Sequence, residues 1–221
     1  MLELVKAGGW PMIPLLLLAV VALAIIVERF WTLRRKEVMP PGLADEVRSW
    51  AARGQLDPAH IESLRRNSPL GALLATALDA RHRPREQIRE RLEDSGRHLA
   101  HRMEKYLNTL GTIAAAGPLL GLLGTVVGMI QMFLGILDQG VGDVNQLAGG
   151  IGKALVCTAT GMIVAIPALM FHRYFRGRIG GYVIEMEQAA TALLDALDSK
   201  VAMAARARAA RGLAPAAPVQ A

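Results

Sequence analysis

Three stretches of this chain carry no charged side chain and are long enough to cross a bilayer. They run from Trp10 to Val27, from Tyr106 to Leu137 and from Ala154 to Phe171. With a rise of 1.5 Å per residue, about eighteen apolar residues suffice for a helix to cross a hydrocarbon core near 30 Å. Inside hydrocarbon every backbone polar group must be satisfied internally, and a helix does this within one segment. The chain therefore reads as an all-α membrane protein with three transmembrane helices. The second and third are long and extend into the cytoplasm, and a helical cytoplasmic segment separates the first from the second. The overall hydrophobic content of 52% is concentrated in these blocks, with nearly all charge between and after them.

The expected segments are 1–36 (outer N-terminus and first span), 37–105 (cytoplasmic helices), 106–137 (second span), 138–147 (short periplasmic turn), 148–174 (third span) and 175–221 (cytoplasmic helix and disordered tail). Only Lys6 precedes the first block, and Glu28, Arg29 and then Arg34-Arg35-Lys36 follow it without a small-x-small cleavage site. A retained anchor fits this better than a cleaved signal peptide. Lys and Arg crowd one side of the spans: a single lysine precedes the first, the 29–105 segment is strongly basic, Arg173, Arg176 and Arg178 follow the third span, and Asp138–Asn145 carries two aspartates and no basic residue. By the positive-inside rule the N-terminus is periplasmic and the C-terminus cytoplasmic. Trp10 and Trp31 bracket the first span, where indoles favour the headgroup region.

The net charge of +6 does not read as a nucleic-acid footprint, because aromatics are only 5% and none interleave with the basic residues. Basic loops facing anionic lipid explain it. Between the first two spans, Pro40-Pro41-Gly42 stops any continuing helix, and short helices follow over 44–53, 61–66 and from Pro69 to the His82-Arg83-Pro84 break. Residues 85–105 read as a charged helix with Ile88, Leu92, Leu99 and Met103 as its apolar stripe, flowing into the second span without interruption. So many exposed charges on about seventy residues imply helices packed on one another and on neighbouring subunits, with no independent core. Residues 182–197 continue as an amphipathic helix, and Arg206, Arg208 and Arg211 lie in a frayed tail. His82, His98 and His101 lack the carboxylate or thiolate that would complete a metal site, and the lone Cys157 reads as a small buried residue. No metal or cofactor is expected.

The first span is Leu/Val/Ile-rich. The second carries Gly111, Gly117, Gly121, Gly124, Gly128 and Gly135, and the third Ala154, Ala159, Gly161 and Ala165. Small residues let membrane helices approach closely, and so much close-packing surface points to contacts with further copies, as in a ring. Pro118 and Pro167 each free a backbone carbonyl within a span. Thr125, Thr158 and Thr160 are hydroxyls within the spans, and Lys153, which either snorkels outward or pairs with a partner carboxylate in a lumen, is the one ionisable residue near the bilayer, seven residues before Thr160 and so near it on the helical wheel. From 111 to 137 and from 154 to 171 there is no Asp, Glu, Lys, Arg or His. Proton relays normally use such side chains, so unaided this chain is a poor proton conductor; if ions pass along its surface, a partner must bring the titrating group.

The stretch from Ala116 through Gly117-Pro118-Leu119-Leu120-Gly121 to Gly124-Thr125-Val126-Val127-Gly128 resembles the second-helix signature of the MotA/TolQ/ExbB proton-channel family. The stretch from Gly152-Lys153-Ala154 through Cys157-Thr158-Ala159-Thr160-Gly161 to Ile166-Pro167-Ala168 resembles its third-helix signature. The resemblance implies no enzyme. It implies an ExbB-like or TolQ-like subunit that forms a homo-oligomer, a pentamer, around an ExbD-like or TolR-like single-span partner carrying a membrane aspartate. Proton flow would then energise a TonB-like or TolA-like protein reaching the outer membrane. By position Thr125 and Thr158 match threonines facing the lumen, with Thr160 and Lys153 as further lumen-lining residues. Gly117, Pro118, Gly121, Gly124, Gly128, Gly161 and Pro167 serve packing or kinks. The family often has Glu where this chain has Lys153. A flagellar stator subunit would have four spans, and a solute transporter would show inverted repeats. A non-conducting membrane scaffold remains the alternative from another class.

Overall fold

The computed structural model describes residues 9–53, 57–139 and 144–210, and over these the chain is helical throughout, without strands. The helices are α1 (Met12–Thr32), α2 (Arg35–Val38), α3 (Leu43–Arg53), α4 (Pro58–Asn67), α5 (Pro69–Ala80), α6 (Arg85–Met103), α7 (Leu107–Gln139) and α8 (Val144–Ala210). Among the described residues three helices are long and apolar enough to cross a membrane: α1, α7 over Leu107–Leu137, and α8 within Ala148–Ser199. The chain divides into two compact units. One comprises α1, the turn at 104–106, α7 and α8 as far as Arg178; the other comprises α2 to α6 and α8 from Ile179.

In the first unit α1 buries Met12, Leu15, Ala22, Ile26 and Arg29, a stripe at helical spacing. Its opposite face exposes Leu17, Val20 and Leu23, as a lipid-facing surface should. Trp10 and Trp31 are both exposed at the two ends of this helix. At the Trp31 end Phe30 packs edge-on against Phe171 and Phe175 of α8, with centroids 5.4 and 5.1 Å apart. Arg29 is buried there, bonded to Glu28 at 2.5 Å and lying 5.6 Å from the centre of the Tyr106 ring. Helices α7 and α8 run through Pro118 and Pro167 without a break.

An uninterrupted helix from Arg85 into the second span does not form. The helix stops at Met103 and restarts at Leu107, and Tyr106 adopts φ +64°. That left-handed conformation costs a residue other than glycine about 1–3 kcal/mol. It places the Tyr106 ring under two cations, Arg29 and the Lys105 ammonium at 4.8 Å, and cation–π attraction offsets part of the cost.

The second unit corrects the expectation of helices without a core. Helix α5 buries Leu70, Leu73, Leu74, Ala75, Ala77, Leu78 and Ala80. Ser68 caps it by accepting a 3.1 Å hydrogen bond from the Gly71 N–H, and Pro69 sits where a missing N–H costs nothing. The α6 stripe of Ile88, Leu92, Leu99 and Met103 is buried, as are Ile179, Tyr182, Met186, Ala190 and Leu193 of α8. Gly96 of α6 meets Val183 and Glu187 of α8, where a Cβ would lie 2.8 Å from Glu187 Oε1. Exposed ion pairs, among them Arg85 with Asp195 and Asp198 at 3.0 and 2.7 Å and Arg35 with Glu185 at 2.7 Å, decorate this core. Being solvated, they add little to its stability.

Two boundaries also move. The turn at 138–147 shrinks, because α7 reaches Gln139 and α8 starts at Val144; residues 140–143 lie outside the described residues. Arg206 and Arg208 belong to α8, whereas Arg211 and the tail to 221 lie outside the described residues. Leu74 is fully buried in α5, so Leu74→Ala should destabilise the second unit by about 2–5 kcal/mol. Limited proteolysis of the detergent-solubilised protein reads this as faster cleavage within 58–103; an unchanged rate would contradict the core assignment.

Candidate functional site

The two long spans meet along a seam that glycines make possible. In α7, Gly117 lies where a Cβ would come within 3.0 Å of the Gly161 carbonyl oxygen and 3.1 Å of Ala165 Cβ. One turn on, Gly121 faces the Thr158 backbone at 3.0 Å, Gly124 faces the Cys157 side chain well inside van der Waals contact, and Gly128 faces Ala154 Cβ at 3.2 Å. From α8, a Cβ on Gly161 would lie 2.5 Å from the Gly117 carbonyl. The contacts ascend α7 as they descend α8, so the helices are antiparallel. Backbones this close gain dispersion contacts that lipid cannot supply, which is the main force between helices already in a membrane. Gly135 has nothing within 4 Å, and Ala159 is exposed away from the seam. Most of the small-residue surface expected to meet other copies is thus used within one chain.

The three threonines behave differently. Thr160 donates to the Val156 carbonyl of its own helix at 2.8 Å, and Thr125 to the Leu122 carbonyl at 2.6 Å. Thr158 instead bonds across the seam, its hydroxyl donating to the Gly121 carbonyl at 3.0 Å. That carbonyl is reachable only because Gly121 carries no side chain.

Seven-residue steps return to nearly the same side of a helix. Thr125, Pro118 and Gly111 therefore descend one edge of α7, and Thr158, Ala165 and His172 descend α8 opposite them. The pairing holds at the far end, where the His172 ring lies against Gly111 and a Cβ there would be 3.2 Å from His172 Nε2. Helix α1 covers the other edge: Met12 and Leu15 cluster with Cys157, Val156 and Leu120. Thr125, Thr158, Gly111 and His172 are each half-buried along the edge that α1 leaves uncovered.

Lys153 and Thr160 do not join this edge. They stand on either side of Val156 in sequence and turn toward the α1 side of α8, roughly a third of a turn or more from Thr158. Lys153 is exposed, just before the uncharged run begins. Of the four expected lumen residues, the structure brings Thr125 and Thr158 to one edge and separates the other two. His172 was legible in the sequence only as the end of a span. Its seven-residue relation to Thr158, with Gly111 in the same relation to Thr125, is the signal that could have found it.

A family model for the MotA/TolQ/ExbB proton channel family matches residues 65–188, more than half of the chain. The chain belongs to the MotA/TolQ/ExbB proton channel family. The match takes in the whole seam and most of the buried α5–α6 core. Among relatives, the chain is 37% identical over 169 residues to a Synechocystis protein named ExbB-like 1, covering 75% of this chain and 66% of that one. It is 32% identical over 127 residues to the biopolymer transport protein ExbB of Pseudomonas putida, covering 56% of this chain and 39% of the relative. An ExbB homolog of Methanothermobacter thermautotrophicus is 28% identical over 187 residues, with 84% and 66% covered. The aligned part thus spans between two fifths and two thirds of these relatives. Three apolar helices and membership of this family make the chain an inner-membrane protein.

Cys157 is the only cysteine and is fully buried at the seam, so its thiol reports on seam closure. Gly124→Leu should force α7 from α8 and raise the rate of maleimide labelling of Cys157 at least about tenfold, since overpacking a close contact drives the backbones apart. Gly135→Ala should leave labelling unchanged. Equal labelling of both variants would contradict the seam.

Proposed function

We propose that this chain is an ExbB-like ring subunit of a motor driven by the proton-motive force. Copies of it, five by family resemblance, surround an ExbD-like single-span partner whose membrane aspartate takes up and releases the proton. The resulting movement energises outer-membrane transport through a TonB-like protein. The N-terminus is periplasmic and the C-terminus cytoplasmic, in keeping with the basic flanks of the spans.

The observation that carries this reading is the pairing of an uncharged casing with an uncovered polar edge. Leu107–Leu137 and 154–171 hold no Asp, Glu, Lys, Arg or His, so no side chain there can carry a proton by titrating near neutral pH. A carboxylate in a low-dielectric passage needs hydrogen-bonding neighbours whether it is charged or neutral. The Thr125 and Thr158 hydroxyl protons go to the Leu122 and Gly121 carbonyls, and their oxygens can still accept a hydrogen bond from water or a neutral carboxyl without competing for its proton, since an alcohol neither gains nor loses one near neutral pH. They act as hydration and relay points, not as acid or base. Thr160 serves its own helix, and Lys153 snorkels toward the outer headgroups. A TolQ-like subunit working with TolR-like and TolA-like partners uses the same edge and belongs to the same family.

Thr158→Val and Thr125→Val keep the shape and remove the hydroxyl. Thr158→Val should cost about 0.5–1.5 kcal/mol of seam stability, the usual net worth of one hydrogen bond, and leave assembly intact. Each should abolish proton flux in proteoliposomes holding the complex with its partner. Full flux in both variants would remove the case for a relay and favour a non-conducting scaffold.

A further inference from the structure

The polar edge does not end at Thr158. Going down α8 by sevens, Ala165 leads to His172, whose ring fills the notch beside Gly111. Going down α7 by sevens, Pro118 leads to Gly111. Pro118 has no N–H, so the Ala114 carbonyl four residues before it receives no helical bond from that position. Ala114 lies between Gly111 and Pro118 in sequence and on the same side of the helix. The edge thus presents two hydroxyls, an under-used carbonyl and an imidazole in succession, separated by one or two helical turns.

His172 is the first residue after the uncharged run of α8 whose side chain carries two nitrogens, one able to accept a proton and the other to donate one. The charged groups around this level are Glu28 and Arg29 of α1, Glu104 and Lys105 of the turn, and Arg173 and Arg176 of α8. Glu28 pairs with Arg29 at 2.5 Å and Glu104 with Arg176 at 3.9 Å. Lys105 lies over the Tyr106 ring. From Leu107 onward α7 brings no ionisable group to the imidazole, since its next is Asp138.

We infer that His172 is the cytoplasmic exit group of the proton path along this edge, an inference that rests on the function proposed above. A hydronium arriving along the Thr125–Thr158 edge gives its proton to one imidazole nitrogen. The imidazolium then becomes neutral by releasing the proton on its other nitrogen to cytoplasmic water, and ring rotation or tautomer exchange restores the starting tautomer. No bond but N–H and O–H changes, and one proton enters for each that leaves. Gly111 gives the ring its room: a Cβ there would lie 3.2 Å from His172 Nε2 and push the ring back by a few tenths of an ångström.

The test uses the complex purified with its partner and reconstituted in proteoliposomes under an imposed proton gradient. His172→Ala should lower proton flux by about a hundredfold, the lower range for a positioned acid–base group. Imidazole in the receiving medium should restore much of it, a rescue that a purely structural role would not produce. His172→Gln keeps polar bulk and assembly, and should lose flux likewise. Unchanged flux in His172→Gln, or a loss in His172→Ala that imidazole does not relieve, would overturn the assignment while leaving the proposed function standing. Absence of flux in the unaltered complex would remove both.

Discussion

The contact on which the first unit depends is the approach of two backbones where Gly117 and Gly161 meet. A methyl group on either would lie 3.0 or 2.5 Å from the other's carbonyl oxygen. Nothing but hydrogen fits there, and the consequences spread from that point. Thr158 reaches the Gly121 carbonyl because the helices are close enough for a side chain of one to bond the backbone of the other. Cys157 is sealed because Gly124 has no side chain to hold it off. The same closeness fixes the angular relation of α7 and α8, so residues spaced by seven on each share an edge.

Charge is distributed in the opposite sense. The seam and its flanks are neutral, while ionisable groups gather where α1 ends and α7 begins. There a buried arginine, its neighbouring carboxylate and a tyrosine in an unfavourable backbone conformation form one cluster. Placing a charge at mid-bilayer costs several kcal/mol, roughly 2.5–3.5 even on the milder scales. A chain that avoids that cost throughout its spans is suited to line a passage and unsuited to carry the charge.

Much of this was legible from residue order. Lengths of uncharged sequence marked the spans, proline and glycine marked the breaks at 40–42 and 82–84, and the apolar stripe of α6 came out buried. The interruption at Tyr106 was not legible, because it depends on two cations meeting one ring from different parts of the chain. The core around Leu73 and Leu74 was missed because twelve residues of α5 look modest until α4 and α6 close over them. The glycines were read as surface for other copies, when their number reflects how long a seam one chain needs for itself. Lys153 and Thr160 shared a face on the wheel, as expected. That face is the one α1 approaches, and a wheel drawn for one helix cannot reveal where its neighbours stand.

The decisive point is whether the moving charge belongs to another protein. Proton flux should be measured in proteoliposomes containing this chain alone and, separately, this chain together with a co-purified single-span protein bearing a membrane Asp. No flux above empty vesicles is expected for the chain alone, and flux is expected on addition of the partner, abolished by an Asp→Asn change in it. A homo-oligomer of this chain that conducts protons unaided would contradict this.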